Sequence, residues 1–323
     1  MRRRTFISIV GGAAAWPIAV RAQQPALPVV GFLHETSPDF PDRLRGFSQG
    51  LKETGFVEGT NVAIAYRWAE NQIDRLPALA AELIARRVAV ICASGIGAFA
   101  AREATTTIPI VFLVSEDPAK LGLVASLARP GGTLTGINFF ASELSAKRLD
   151  LLRQLVPSVA RVAVLINPAD RYTERILKDV ETAAHSMGLQ ILVVRASTPG
   201  EIDGVFARLA HERPDALFVG TGPFFSGRRL QLAHWTTRIA IPTTYELRQF
   251  AEVGGLMSYG ASVTEAWRQV GIYAGRILNG AKPADLPVAQ STKLEFVINH
   301  QTAKIIGLTV PPSLLSIADE VID

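Results

Sequence analysis

The chain has few of the residues on which several classes of protein depend. Among its 323 residues there is one cysteine, Cys92, and the five histidines show no metal-ligand spacing with one another or with it. A single cysteine excludes an internal disulfide framework and a cysteine-rich zinc module. We therefore expect no metal and no cofactor. The 48% of hydrophobic residues is too high for a disordered chain, and the length predicts two domains.

Positive charge is also scarce once the N-terminal segment is set aside. The formal net charge is +4, from 33 basic and 29 acidic residues. Four of the arginines and none of the acids lie in the first 22 residues, so the rest of the chain holds 29 residues of each sign. A neutral chain lacks the positive surface that nucleic-acid binding requires, and we expect no nucleic-acid partner.

The first 22 residues have the pattern of an export signal. Three arginines at 2–4 are followed by an apolar run over 6–20 and by small side chains at 20 and 22. The run is shorter than the roughly 20 residues that span a bilayer. Arg3-Arg4-Thr5-Phe6-Ile7 resembles the twin-arginine export pattern, with ordinary Sec export as the alternative. We expect cleavage near Ala22 and a soluble periplasmic protein without a lipid anchor, because Cys92 lies far from the cleavage point.

Two short motifs resemble those of enzymes and cofactor-binding proteins, but neither lies in the structural context that its chemistry requires. Gly46-Phe47-Ser48-Gln49-Gly50 matches the Gly-x-Ser-x-Gly pattern of serine hydrolases, but it lies inside a predicted helix rather than on a strand-to-helix turn. We interpret its glycines as small residues packed closely on a sheet. Gly95-Ile96-Gly97-Ala98-Phe99-Ala100 resembles a dinucleotide fingerprint but lies in the third strand–helix unit instead of the first. A tight turn that exposes backbone N–H groups to a ligand carboxylate is the better interpretation.

Short β-branched runs alternate with amphipathic helical patterns along the chain. This alternation is typical of parallel sheets covered on both faces. Predicted strands lie at 27–33, 62–66, 88–92, 110–114, 162–166, 191–194, 216–219, 241–244, 254–259 and 294–299. Predicted helices lie at 42–54, 74–87, 98–104, 173–187, 201–211, 229–236, 263–278 and 301–306.

The rhythm of strands and helices restarts halfway along the chain. Val29 and Val162, and the dipeptides Ile108-Pro109 and Ile241-Pro242, occupy equivalent places 133 residues apart. Elements remain after the second set, so the chain is expected to cross between two lobes more than once. The sequence therefore predicts two doubly wound α/β lobes joined by a hinge of several crossovers. After a signal peptide at 1–22, we assign 23–140 plus 254–282 to lobe 1 and 141–253 plus 283–323 to lobe 2.

Ligands of open parallel sheets bind beyond the carboxyl ends of the strands. The segments at those ends are rich in carboxylates, hydroxyls, amides and aromatic rings, which suit an amino acid. Carboxylates can pair with an ammonium group, and hydroxyls and backbone N–H groups can hold a carboxylate. The helix N-cap is the alternative role for each acid, and for Asp117, which precedes Pro118, in particular. The candidate ligand-binding residues are Glu35, Thr36, Ser94, Gly95, Ser115, Glu116, Asp117, the asparagine of Ile137-Asn138, Asn167, Thr221, Tyr245, Ser258 and Tyr259, with Glu246, Trp68, Phe139 and Phe224 as further members.

Several long motifs in one order resemble a known family. The run from Ser115 to Gly132, SEDPAKLGLVASLARPGG, is similar to a stretch of the ABC transporter substrate-binding proteins linked to tryptophan and tyrosine uptake. The segments 254–260, 277–287 and 311–315 match as well. The resemblance implies a type I periplasmic-binding fold and delivery of a solute to an inner-membrane permease. Glu116 stands where the family is usually more apolar, so the ligand's head group is open.

The sequence thus favours a non-enzymatic, monomeric solute-binding protein whose ligand, an amino acid or an aromatic compound, lies between two lobes. Two alternatives stay open at this stage. The first is a similar two-lobed sensor that signals to a membrane receptor. The second is an exported hydrolase that uses Ser48 or a pair of carboxylates.

Overall fold

The structure is a computed structural model that describes residues 27–39, 41–139, 144–170 and 173–323. The predicted export signal lies outside these residues. The described chain forms two sheets of six and seven strands, each packed between helices. The near-continuous burial of strands such as Val90–Ser94 and Ile110–Val114 explains why both faces need helices.

The first sheet is entirely parallel. Its strands, in spatial order, are β2 (Ala63–Trp68), β1 (Val29–His34), β3 (Val90–Ser94), β4 (Ile110–Val114), β5 (Leu134–Asn138) and the short β11 (Ala289–Gln290). Its helices are α1 (Pro41–Glu53), α2 (Leu76–Ala85), α3 (Gly95–Ala104) and α10 (Val263–Leu278), with a 3₁₀ turn at Ile73–Arg75 before α2. Helices α1 and α10 pack side by side, and α10 also contacts β3, β4 and β5.

The second sheet repeats this order. Its strands are β7 (Gln190–Arg195), β6 (Arg161–Ile166), β8 (Ala216–Val219), β9 (Thr243–Tyr245), β10 (Met257–Ala261), β12 (Leu294–Asn299) and β13 (Glu320–Ile322). Its helices are α4 (Ser145–Leu155), α5 (Thr173–Ser186), α6 (Pro199–Glu212), α7 (Pro223–Gly227), α8 (Arg229–Arg238), α9 (Arg248–Glu252), α11 (His300–Ile305) and α12 (Pro312–Ile317). All its pairs are parallel except β10 with β12.

The two sheets are therefore equivalent in topology. In each, the second strand in sequence lies at one edge, the first strand lies beside it, and the third, fourth and fifth follow on the other side. The strand order reverses between β1 and β3 in one lobe and between β6 and β8 in the other. Such a switch point leaves a crevice at the carboxyl ends of the strands. The two-lobed α/β prediction is confirmed.

The division of the C-terminal third between the lobes differs from the sequence prediction. Residues 254–261 were assigned to lobe 1, yet β10 pairs with β9 and β12 of the second sheet. Residues 283–291 were assigned to lobe 2, yet β11 pairs with β5. The Thr135 hydroxyl also donates to the Leu286 carbonyl oxygen at 2.6 Å. Apolar runs indicate strands but not their neighbours, so the sequence could not place these segments.

The chain passes between the lobes three times within this fold. It crosses between β5 and α4, between β10 and α10, and between β11 and β12. The second and third crossings touch, because the Ser262 N–H donates to the Lys293 carbonyl oxygen at 2.9 Å. The prediction of several crossovers agrees with this path, and the boundary predicted at 140/141 lies outside the described residues.

Candidate functional site

A cavity of about 390 Å³ lies between the carboxyl ends of the two sheets. It is lined by the loops that follow β1, β3 and β4 in lobe 1 and by the loops that follow β6, β8 and β9 in lobe 2. These loops flank both switch points, where the topology predicts a crevice. Eight of the thirteen candidate ligand-binding residues line this cavity, as do three of the four further members. They are Glu35, Thr36, Ser94, Gly95, Ser115, Glu116, Asn167 and Thr221, with Glu246, Phe139 and Phe224.

Two predicted residues support the cavity wall without lining it. The Asp117 carboxylate accepts a hydrogen bond from the Ala119 backbone N–H at 2.9 Å, but it stabilises a turn, because no helix follows Asp117 and the N-cap alternative is wrong here. The Asn138 side chain is fully buried and donates to the Glu116 carbonyl oxygen at 2.8 Å. Both residues fix the backbone on which Glu116 stands.

Three predicted residues pack within lobe 2 and do not line the cavity. Tyr245 is fully buried, stacks on Phe250 and shares a 2.9 Å hydrogen bond with Thr236. Ser258 is buried within β10, and Tyr259 packs edge-on against Phe296. Side chains alternate along a strand, so the residue that reaches the cavity here is Glu246, one position after Tyr245.

The Glu35 carboxylate lies at the beginning of α3. Its Oε2 accepts a hydrogen bond from the Ser94 hydroxyl at 2.6 Å. Its Oε1 would lie 2.8 Å from a Cβ added to Gly95, whose φ of +49° also favours glycine. Burial raises the pKa of Glu35, and the bond from Ser94 opposes that shift. The sequence predicted that this turn holds a ligand carboxylate, and the Glu35 side chain lies against the same turn, held by the Ser94 hydroxyl.

His34 and Arg43 form a buried polar pair beside Glu35. Arg43 Nη1 lies 2.8 Å from His34 Nε2, and the Thr36 backbone N–H and hydroxyl each lie 3.1 Å from His34 Nδ1, so hydrogen-bond donors face both ring nitrogens. Burial lowers the pKa of His34 well below its usual value, and Arg43 lowers it further. The imidazole is therefore neutral. Burial also lowers the pKa of Arg43 to about 10, so the guanidinium keeps its charge.

Lobe 2 supplies two carboxylates that face this group. Asp170 follows β6 and lies against Gly222, where an added Cβ would be 2.7 Å from Oδ2. Burial raises the pKa of Glu246 to about 7, while Arg148 and Arg43 oppose the rise. Asp170 raises the pKa of both Glu35 and Glu246 through charge repulsion. Carboxylates from both lobes thus share one electrostatic environment.

Arg148 lies beneath the lobe 2 wall of the cavity. Its side chain is fully buried on Phe218, with 4.1 Å between the guanidinium carbon and the ring centre. Nη2 donates to the carbonyl oxygens of Val219 and Thr244 at 2.7 and 3.1 Å. These carbonyl oxygens belong to the last residue of β8 and the next-to-last residue of β9, just before the loops that line the cavity. The positive charge of Arg148 favours the ionised form of Glu246.

Two residues that face the cavity from helices were not among the residues predicted from the sequence. Arg43 is on the buried face of α1 with Gly46, Phe47, Gly50 and Leu51. A charged residue at a core position of an amphipathic helix was the available signal. Trp267 on α10 is fully buried and lines the cavity in the same way. Strand ends alone could not indicate either residue, since both lie in helices.

Aromatic and aliphatic side chains complete the wall. Phe139 from lobe 1 and Phe224 from lobe 2 both line the cavity, as the sequence suggested, together with Trp267. Trp68 does not line it and packs against Phe32 and His34 instead. Rings of this kind cover the apolar part of a ligand, while the carboxylates and hydroxyls fix its polar part.

Polar contacts join the lobes at the cavity rim. The Arg229 guanidinium on α8 donates to the Asp39 carbonyl oxygen at 3.0 Å. The Arg175 guanidinium on α5 lies 3.8 Å from the Glu116 carboxylate. A Cβ on Gly227 would lie 3.4 Å from the Asn71 side-chain nitrogen. The two lobes are closed on each other in this structure.

Other features of the chain do not point to chemistry in the cavity. Ser48 is exposed on α1, and Cys92 is buried in the first sheet. Among the described residues, no three histidine, cysteine, aspartate or glutamate side chains are grouped as metal ligands. The described helices include none that is long and apolar enough to cross a membrane.

Comparison with known proteins identifies the family. The family model of the ABC transporter substrate binding proteins matches residues 32–322. A tyrosine-binding protein of Clostridioides difficile (strain R20291) is 25% identical over 272 residues, covering 84% of this chain and 78% of that protein. Among solved structures, a conserved domain protein of Vibrio cholerae has a TM-score of 0.83 at 22% identity, covering 91% of this chain and 99% of that chain. A Streptococcus pneumonia ABC domain in complex with L-Trp has a TM-score of 0.82 at 24% identity, covering 92% and 100%. The chain belongs to the ABC transporter substrate-binding protein family, whose members are non-enzymatic, extracytoplasmic binding proteins.

Proposed function

We propose that the cleft binds a small solute that carries a cationic nitrogen next to an apolar or aromatic part, such as an amino acid or a related aromatic compound. The observation that carries this proposal is the pair of carboxylates, Glu35 from lobe 1 and Asp170 from lobe 2, which face one cavity beside Phe139 and Phe224. A volume of about 390 Å³ lies within the range of small-molecule sites. The tyrosine-binding relative and the relative in complex with L-Trp support an aromatic ligand.

The same pair supplies a mechanism for closure. Glu35 and Asp170 approach each other when the lobes close, and like charges repel in a site with little water. A cationic group between them replaces repulsion by attraction. The ligand then binds the closed form better than the open form, and this difference in affinity shifts the population toward closure. No bond needs to be made or broken.

In this proposal the chain acts as a monomer in the periplasm and delivers its ligand to an ABC permease in the inner membrane. The family supports the permease partner. The pattern of residues 1–22 supports export, with cleavage near Ala22 and either the twin-arginine or the Sec route. Osmotic-shock fractionation of cells that express the full chain tests this, because the mature protein is expected in the shock fluid. Retention of uncleaved protein in the cytoplasm would contradict export.

Titration calorimetry against the twenty amino acids and related aromatic amines and acids tests the binding role. Small-angle X-ray scattering with and without each ligand tests the closure. We expect at least one solute to bind at micromolar or lower concentration and to hold the compact form. The absence of binding to any of these solutes, with unchanged scattering, would overturn the proposed ligand class.

A further inference from the structure

The two lobes place a carboxylate against a glycine in the same way. Glu35 follows β1, the first strand of lobe 1, and lies against Gly95, which follows β3, the third strand. Asp170 is in the loop after β6, the first strand of lobe 2, and lies against Gly222 in the loop after β8, the third strand. The first and third strands flank the switch point of each sheet, and all four residues line the cavity. The same arrangement is thus present on both walls of the cleft.

These two glycines differ from the other glycines that have a positive φ. In the described part of the chain there are eleven such glycines, and a Cβ added at nine of them would meet no atom within 4 Å apart from its neighbours in the chain. Gly95 and Gly222 are the two exceptions, with φ of +49° and +139°. The nearest atom to the added Cβ is Glu35 Oε1 at 2.8 Å in one case and Asp170 Oδ2 at 2.7 Å in the other. Backbone conformation explains the nine, whereas at these two positions a carboxylate also occupies the space of the missing side chain.

The atoms that Gly95 and Gly222 admit are the far ends of flexible side chains. At Gly50 and Gly260, by contrast, an added Cβ would overlap a backbone carbonyl oxygen, and close packing of the backbone explains those glycines. A carboxylate can move away from a new methyl group by rotation about its side-chain bonds, whereas a packed backbone cannot. A methyl group at either cleft glycine therefore changes the position of a carboxylate more than it changes the packing of the fold.

We propose that Gly95 and Gly222 are positioning residues, one in each lobe, which set where the Glu35 and Asp170 carboxylates lie and thereby set the affinity for the ligand. The proposal rests on the proposed function, in which these two carboxylates hold the ligand's cationic nitrogen. A charge-assisted hydrogen bond depends on the placement of both partners, and a binding site loses its fit when a contacting group is displaced by about 0.5 Å. A Cβ at 2.8 Å from an oxygen requires a displacement of about this size, since ordinary contacts of a Cβ begin at 3.4 Å.

Crystal structures of Gly95→Ala and Gly222→Ala without ligand test the first step. We expect the Glu35 carboxylate in one variant, and the Asp170 carboxylate in the other, to move by about 0.5 Å or more away from the new methyl group. Two glycines in different lobes keep the test valid if one variant does not fold. Carboxylates that stay in place would overturn the positioning role, whichever ligand the cleft binds.

Titration calorimetry with L-tryptophan and L-tyrosine as probes tests the second step. Gly95→Ala and Gly222→Ala should each weaken binding about fivefold or more, because the charged hydrogen bond to the ligand is distorted. Gly122→Ala in lobe 1 and Gly254→Ala in lobe 2 are the matched controls. Both glycines have a positive φ and open space at the added Cβ, and neither lines the cavity, so these variants introduce the backbone strain without the overlap. They should leave the affinity within about twofold of that of the parent protein.

A double-mutant cycle shows whether Gly95 acts through Glu35. Glu35→Gln keeps the shape of the side chain and removes its charge, and it should weaken binding of the probes about tenfold. In that background Gly95→Ala should add a loss of about twofold or less, because the charge that Gly95 positions is gone. An equal loss in both backgrounds would overturn the positioning role, and so would glycine variants that bind like their controls. If neither probe binds the parent protein, aromatic amino acids are overturned as ligands, and the crystal structures still decide whether the glycines position the carboxylates.

Discussion

Glu246 is the cleft carboxylate whose charge changes near neutral pH. Its pKa is raised to about 7 by burial, with Arg148 on α4 and Arg43 on α1 opposing the rise and Asp170 adding to it. A cationic ligand favours the ionised form, so its affinity should increase as the pH rises through 7. Between pH 6 and pH 8 we expect the affinity to increase about tenfold, because the ionised fraction of a single group with a pKa of about 7 increases by about that factor. Titration calorimetry of tryptamine and L-tryptophan over this range measures it.

The variant Glu246→Gln is the control for this profile. It keeps the shape of the side chain and removes the titrating group, so most of the pH dependence should disappear. His34 does not contribute over this range, because its pKa lies well below the usual value. Cation affinity that falls as the pH rises would contradict the assignment.

Arg148 is expected to stabilise lobe 2 as well as the cleft. Replacement by methionine removes the bonds to Val219 and Thr244 and the buried positive charge that, with Arg43, favours the ionised form of Glu246. Loss of one member of a buried charged pair lowers the free energy of unfolding by about 3 kcal/mol or more. Denaturation in urea measures this. Arg153→Met, at an exposed position of the same helix, should change it by less than about 0.5 kcal/mol.

Helices α1 and α10 are held together by their small residues. A Cβ on Gly50 would overlap the Arg268 carbonyl oxygen and lie 2.8 Å from the Ile272 backbone nitrogen. Glycine therefore permits the close approach that brings Arg43 and Trp267 to the cavity from neighbouring helices. The sequence interpretation of close packing was right in kind, but the partner is a helix rather than the sheet. The serine of the same motif plays no part in this contact, because Ser48 is exposed.

The variant Gly50→Ala tests this helix contact, because close packing and helix propensity predict changes in stability of opposite sign. Helix propensity alone would favour alanine by about 1 kcal/mol, whereas overpacking costs about 1 to 3 kcal/mol and here meets rigid backbone. We expect net destabilisation, seen as a lower midpoint in urea unfolding. Ser48→Ala is the matched control in the same helix and should be close to neutral. A more stable Gly50→Ala variant would show that the helices can separate without cost.

The cavity residues at the ends of strands could be predicted from the sequence. The cavity residues on helices and the pairing of strands could be predicted less well. Glu35, Ser94, Asn167 and Thr221 reach the cavity because parallel strands deliver their carboxyl ends to one edge. Tyr245 does not reach it, because its position in the strand points its ring into the core. The short β11 carries too little pattern to be recognised, since its two residues are defined by pairing with β5 alone. Tertiary neighbours decide such elements, and a single sequence does not contain them.

The closed arrangement of the whole molecule depends on few contacts outside the cavity. At the rim, the Arg229 guanidinium reaches the Asp39 carbonyl oxygen at 3.0 Å, and Arg175 lies 3.8 Å from Glu116. Exposed pairs contribute little to global stability, on the order of 1 kcal/mol or less each. An equilibrium between open and closed forms that differ by a few kcal/mol is nevertheless sensitive to such amounts.

Arg229→Gln should therefore shift this equilibrium toward the open form and leave folding intact. We expect a larger radius of gyration without ligand by small-angle scattering, and an apparent ligand affinity lower by about two- to fivefold, because binding must then supply the lost contact. Arg208→Gln removes an arginine and its ion pair with Glu212 within lobe 2, so it is the matched control and should change neither quantity. If both variants scatter like the parent protein, the rim contact does not set closure, and the balance lies with the carboxylates inside the cleft.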